Sequence, residues 1–136
     1  MIVLDEENAW DYLGTAEVGR LATVVDNRPQ LFPINFCIDG ESIIFRTAEG
    51  SKLEELLLNN QVAFEADGWD NETGWSVILY GHAEVITDPE ELARAEKAPL
   101  RPWVPTVKNN WVRIEPDTIS GRTFEFGPEP ITKYNH

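Results

Sequence analysis

Arg46, Thr47, Ser51 and Lys52 fall in one short stretch and carry a guanidinium, two hydroxyls and an ammonium. That is the donor set of an anion site. Ser51 followed by Glu54 reads as a capping box, with the serine oxygen taking a first-turn N–H and the glutamate reaching back. Leu53, Leu56 and Leu57 continue as one apolar helical stripe. A helix N-terminus with its positive dipole end therefore follows a strand carrying Arg46 and Thr47, and the group reads as a phosphate socket. A capped helix beside ordinary solvated cations is the second reading of the same residues, and both stand at this point.

Few other residues qualify for chemistry. Asn35 offers an amide on a strand interrupted by Pro33. Trp75 and Ser76 open a strand after a polar loop, and Trp103 is held among prolines. A planar ligand with a phosphate tail uses such parts, although each aromatic taken singly reads as core. There is no G-x-G-x-x-G, no P-loop and no G-x-S-x-G. The only histidines are His82, read as a solvated or core residue, and the terminal His136. Cys37 stands alone, so neither an internal disulfide nor a multi-cysteine metal site is available, and a buried strand thiol is expected. Binding chemistry remains, with no side-chain acid–base constellation.

The chain has 136 residues and a net charge of −13, from 24 acidic and 11 basic side chains. Such a sheath repels nucleic acid and anionic membrane surfaces, so neither is expected as a partner and any anion site must be local. No apolar run approaches a membrane span, and the acidic N-terminus does not resemble a signal peptide. A cytoplasmic location and a single domain over 1–136 are expected, with the tail from about residue 127 partly disordered.

The elements that must position these groups follow from pattern. A helix is predicted over 5–13, a strand over 18–25, a turn over 26–29 and a strand over 30–38. In that second strand Phe32, Ile34, Phe36 and Ile38 share one face, and Pro33 implies a free edge or bulge. Asp39-Gly40 marks a hairpin into a strand over 43–47, then the capped helix to about Asn59-Asn60. Strands over 61–66 and 75–86 flank a polar loop over 67–74, and Gly81 predicts a bend or close backbone approach. Asp88 and Pro89 open a helix to about Lys97. Residues 98–105 are too proline-rich for regular structure, and final strands are predicted over 111–115 and 118–126. The rigid segment 99–105 either borders the ligand site, with Trp103 facing substrate, or straps the barrel. Six or so strands joined by hairpins with inserted helices predict a mainly β, antiparallel barrel, and the absence of alternating βαβ units argues against a doubly wound sheet.

In this order, several pieces resemble the pyridoxamine 5′-phosphate oxidase-like family of FMN-binding split barrels, closest to its short bacterial members. They are Val18-Gly19-Arg20-Leu21-Ala22, Pro33-Ile34-Asn35-Phe36, Phe45-Arg46-Thr47 with Gly50-Ser51-Lys52, and Val62-Ala63-Phe64-Glu65. Gly74-Trp75-Ser76-Val77, Tyr80-Gly81-His82-Ala83, Leu100-Arg101-Pro102-Trp103 and Val112-Arg113-Ile114 leading to Gly121-Arg122 follow. The resemblance implies a six-stranded split barrel, a homodimer and FMN in grooves between the subunits. Five tryptophans in so small a domain also suggest an interface. The resemblance further implies that Arg46, Thr47, Ser51 and Lys52 hold the phosphate and ribityl chain. Pro33, Ile34, Asn35 and Phe36 line the isoalloxazine, with Trp75 and Ser76 near the ring or the ribityl chain. No metal is expected, because no His, Cys or carboxylate ligands are spaced to converge on one. The oxidase's basic and aromatic C-terminal end has no counterpart beyond Gly121-Arg122, so pyridoxamine phosphate oxidation is not expected. A flavin-dependent oxidoreductase acting on an unidentified small molecule is the leading expectation. The alternatives are a non-catalytic flavin, deazaflavin F420 or haem binder, and a dimeric interaction protein whose groove no longer binds flavin.

Overall fold

Residues 1–100 and 110–128 are described by a computed structural model. The elements in chain order are β1 (Ile2–Leu4), α1 (Glu6–Leu13), β2 (Val18–Val25), β3 (Arg28–Asn35), β4 (Cys37–Asp39), β5 (Ser42–Thr47), α2 (Ser51–Leu58), β6 (Gln61–Trp69), β7 (Thr73–Val85), α3 (Pro89–Ala95) and β8 (Asn110–Glu125). All strands join one curled antiparallel sheet in the order β3-β2-β6-β7-β8-β5-β4, with β1 added to β8. The result is the expected split β-barrel, with eight strands among the described residues rather than six.

The extra strands have local causes. The predicted strand over 30–38 breaks at Phe36, whose N–H donates to the Glu17 carbonyl at 3.2 Å. There the chain passes from β3, at one end of the sheet path, to β4 at the other. The predicted polar loop over 67–74 contracts to a tight turn. The Asp70 carboxylate accepts from the Glu72 and Thr73 amides at 2.8 and 2.7 Å, so β6 and β7 can pair as far as Trp69 and Gly74. The two predicted final strands are one strand, β8, because it is paired in turn with β5, β7 and β1.

Side-chain alternation sorts the sheet into two faces. Leu21, Ile43, Phe45, Phe64, Val77, Leu79, Val112 and Ile114 point inward and are fully buried. Each such side chain contributes about 1.5–3 kcal/mol of burial. Helix α1 adds Ala9 and Leu13 to this core. Its cap is Asp5, which accepts from the Asn8 amide at 2.8 Å. On the other side, α3 covers the sheet through a second cluster of Ile44, Ile86, Ala95 and Trp111. Asp88 caps that helix by accepting from the Glu91 amide, with Pro89 at its start.

Gly81 performs the role expected of it. A Cβ there would lie 2.1 Å from the Glu115 carbonyl oxygen, and the β7–β8 register shifts at this point. The β2–β3 hairpin turns on Asp26 and Asn27 at φ of 52° and 62°, left-handed values these two residue types tolerate. Among the described residues no helix is long and apolar enough to cross a membrane. Trp103 and most of the 99–105 segment lie outside the described residues, as does the tail beyond residue 128.

Candidate functional site

The predicted phosphate-binding residues follow one another along the chain through the junction of β5 and α2. Thr47 ends β5, and Ala48, Glu49 and Gly50 lead into α2. The expected capping box does not form. Gly50 is the cap, at φ 151° and ψ −166°, and Ser51 is already the first helical residue. Only glycine adopts that backbone conformation readily, so Ser51 is moved one position too far along to cap. Gly50 has no side chain with which to cap the first turn of α2, in contrast to Asp5 at α1 and Asp88 at α3. The amides of that turn point out of the helix end as donors, at its positive pole.

Lys52 is the second helical residue and is half-buried rather than exposed. Its ammonium sits 5.4 Å from the centroid of the Phe32 ring on β3. This contact brings the α2 terminus to the strand that carries Pro33, Ile34 and Asn35. Helix α2 is tied to the barrel further along, where the Thr23 hydroxyl of β2 donates to Glu55 at 2.9 Å. Arg46 leaves β5 on the opposite face from Thr47. Its guanidinium carbon lies 5.2 Å from the centroid of the Trp111 ring. Thr47 is buried, its hydroxyl donating to the Ala48 carbonyl at 3.2 Å.

Among the described residues β3 pairs only with β2 and is therefore an edge, as Pro33 implied. The candidate ring-lining residues on it divide. Pro33, exposed, and Asn35, half-buried, lie on the sheet face opposite Ile34, across from Arg20 and Val18 of β2. Ile34 and Phe36 are core residues, 5% and 4% exposed, and Phe36 packs edge-on against Phe64 with ring centroids 4.8 Å apart. What remains for those two to offer a ligand is backbone. Trp75 and Ser76 likewise fall on opposite faces of β7. Trp75 packs inward on the core and against Tyr12, at 5.6 Å between centroids. Ser76 faces outward between Asp67 and Arg122.

The outer face holds a charged group not anticipated from the sequence. Arg20 pairs with Glu65 at 3.0 Å and with Asp67 at 3.1 Å. Partial burial, followed by the neighbouring Asp67 carboxylate, pushes the Glu65 carboxyl above its usual range, with Arg20 opposing. Burial works against the Arg20 charge, but the hydrogen bonds and charges of Asp67 and Glu65 outweigh it and hold the guanidinium above its ordinary value. A second unanticipated group is Arg113, 9% exposed beneath α3. It is paired with Glu91 at 2.8 Å and Asp39 at 2.9 Å, and donates to Ser42 at 2.5 Å. The signal for it was a charge inside the apolar run 111–114. Trp111 and Phe32 carried no such signal, because their contacts with the two cations come from strand register and helix placement.

The remaining candidates carry no chemistry. Burial, and then the Asp39 carboxylate, push the Cys37 thiol up, away from the reactive thiolate. His82 is half-buried with its Nδ1 3.4 Å from Asp117. Among the described residues no three His, Cys, Asp or Glu side chains converge as a metal site.

A sequence model described as pyridoxamine 5′-phosphate oxidase matches residues 5–123. The chain is similar to a solved FAD binding protein from Mycobacterium smegmatis, with 44% identity, 93% of this chain and 100% of that one covered, and a TM-score of 0.82. It is also similar to a solved structure from Corynebacterium glutamicum, with 40% identity, coverage of 94% and 96%, and a TM-score of 0.87. The uncharacterized protein Rv3129 of Mycobacterium tuberculosis is 46% identical over 93 residues, 68% of this chain and 84% of that protein.

Proposed function

The chain belongs to the pyridoxamine 5′-phosphate oxidase family, and on that premise we propose that it is a flavin-binding oxidoreductase acting on a small molecule. The carrying observation is the α2 terminus: an N-terminal turn without a side-chain cap, with Lys52 held against the edge strand β3. Arg46 is at the end of the adjoining strand. Backbone amides, an ammonium, a guanidinium and the Ser51 hydroxyl fit the phosphate that every flavin nucleotide carries. The similarity to an FAD binding protein from Mycobacterium smegmatis supports a flavin of this class; FMN is the proposed form, with F420 the alternative.

In this reading Arg46, Thr47, Ser51 and Lys52 hold the phosphate end. The β3 edge, with the side chains of Pro33 and Asn35 and the backbone at Ile34 and Phe36, receives the ring, and Ser76 lies on the same outward face. Trp75 supports that wall from the core side. The flavin supplies the hydride chemistry, and the protein binds it, orients it and shields it from water. No side chain is then needed as acid or base.

The proposed assembly is a homodimer. Leu31 is 67% exposed and Tyr80 55% exposed on the outer sheet face, beside Ala22, Ala63 and Ile78. An apolar patch of this kind on a protein of net charge −13 supports that reading. Light scattering is expected to give twice the chain mass; a monomer at micromolar concentration overturns the dimer.

The purified protein, titrated with FMN and followed by its absorbance, tests the function. Saturable flavin uptake, with bleaching by NAD(P)H and recovery on adding an electron acceptor, is the expected result. Uptake without bleaching reduces the function to flavin binding, a Soret band on adding haem favours the haem alternative, and absence of any flavin binding overturns the proposal.

A further inference from the structure

Resting on the reading that Arg46 meets the flavin phosphate, we infer that Trp111 is the positioning residue for the Arg46 guanidinium, with Glu96 fixing the indole in turn. Arg46 and Trp111 are direct partners across the β5–β8 ladder, so their side chains leave the sheet on the same face. The guanidinium lies 5.2 Å from the indole centroid, within the range of a cation–π contact. The indole itself has little freedom. Trp111 is 3% exposed and is packed with Ile44, Ile86 and Ala95. Its Nε1–H donates to Glu96 Oε1 at 2.9 Å, just beyond the end of α3.

An arginine side chain has many rotamers, and freezing them on binding costs affinity. A rigid indole beneath the guanidinium removes part of that cost before the ligand arrives. Stacking engages the flat face of the guanidinium, whereas a phosphate is met by its N–H edge, so the two contacts are compatible. A leucine would keep this position between α3 and the sheet apolar, with some loss of core volume, but it would offer no such platform. Helix α3, remote in sequence from the phosphate-binding stretch, thereby enters the site through Glu96 and Trp111.

The experiment compares FMN and riboflavin, which differ in the phosphate, on wild type, Arg46→Ala, Trp111→Leu, Trp111→Phe and Glu96→Ala. Affinities are read from flavin fluorescence and folding from thermal melts. Arg46→Ala is expected to weaken FMN and leave riboflavin unchanged. Trp111→Leu is expected to do the same by about three- to thirtyfold, the worth of a partly desolvated cation–π contact. Trp111→Phe restores a ring face and most of the FMN affinity. Glu96→Ala, an exposed change that leaves the core intact, releases the indole and moves the FMN-to-riboflavin ratio in the same direction as Trp111→Leu. If Arg46→Ala shifts the ratio while neither Trp111→Leu nor Glu96→Ala does, the positioning role is overturned and the phosphate reading survives. If Arg46→Ala itself leaves the ratio unmoved, the phosphate reading fails and the positioning role fails with it. Equal loss of both ligands in Trp111→Leu, recovered by neither Trp111→Phe nor a lower temperature, assigns Trp111 to the fold alone.

Discussion

Lys52→Ala is expected to separate ligand binding from folding. In the folded chain the ammonium lies 5.4 Å over the Phe32 ring on a half-buried stem. Losing that contact costs about 0.5–1 kcal/mol. The same substitution removes a positive charge from the second position of α2, where it opposes the dipole by about 0.3–1 kcal/mol. The two effects run against each other, so the urea midpoint should move by less than the equivalent of about 1 kcal/mol. Toward FMN there is no such cancellation. A charge-assisted hydrogen bond to phosphate contributes about 1.5–3 kcal/mol, which is about ten- to a hundredfold in affinity. Riboflavin, lacking the phosphate, should bind wild type and variant alike. Isothermal titration of both ligands on both proteins gives the answer. Equal loss for FMN and riboflavin, or none for FMN, would refute the reasoning and leave the β5–α2 junction as a helix start with no ligand.

Three further outcomes follow from the fold. Gly81→Ala should destabilise the protein by at least the 1–3 kcal/mol typical of overpacking, roughly, because the added carbon meets the Glu115 carbonyl at 2.1 Å and backbone cannot swing aside; a chemical denaturation curve matching wild type contradicts the close β7–β8 approach. Arg113→Met should cost about 2–3 kcal/mol, just short of the usual penalty for breaking a buried ion pair, because the Asp39 and Glu91 carboxylates it leaves behind are 32% and 30% exposed. Its melting temperature should recover in part in an Arg113→Met, Asp39→Asn double variant. The Glu65 carboxyl is held above its usual range by burial and by Asp67, so its stabilising contribution is full in acid and is lost as pH rises through the raised folded-state value. Glu65→Gln fixes the neutral form, and its denaturation midpoint should gain on wild type as pH rises across the weakly acidic range; parallel curves refute the shift.

Much of the scaffold was legible because it is encoded locally. Val18–Val25 is the strand its β-branched pattern predicts, Asp39-Gly40 turns the β4–β5 hairpin, and Asp88 with Pro89 starts α3. Pro33 announced an edge and Gly81 a close approach, each through a limit of its own backbone. The anion-binding residue types were legible too, since a cation-rich stretch at a strand-to-helix junction is a property of neighbours in sequence. Tertiary structure alone decided which of them share a surface. Trp75 and Ser76 are adjacent in the chain yet lie on opposite faces of β7, and Ile34 and Phe36 are spent on the core while Pro33 and Asn35 lie on the other face of the sheet. Ser51 matches the capping pattern, but the cap went to Gly50, whose φ of 151° only the loop closure between β5 and α2 demands. Arg46 meets Trp111, and Lys52 meets Phe32, across separations that no local pattern records. The physical reason is that local propensity acts within a few residues, whereas register between strands is settled by burying one continuous apolar face, and that settlement places every outward side chain.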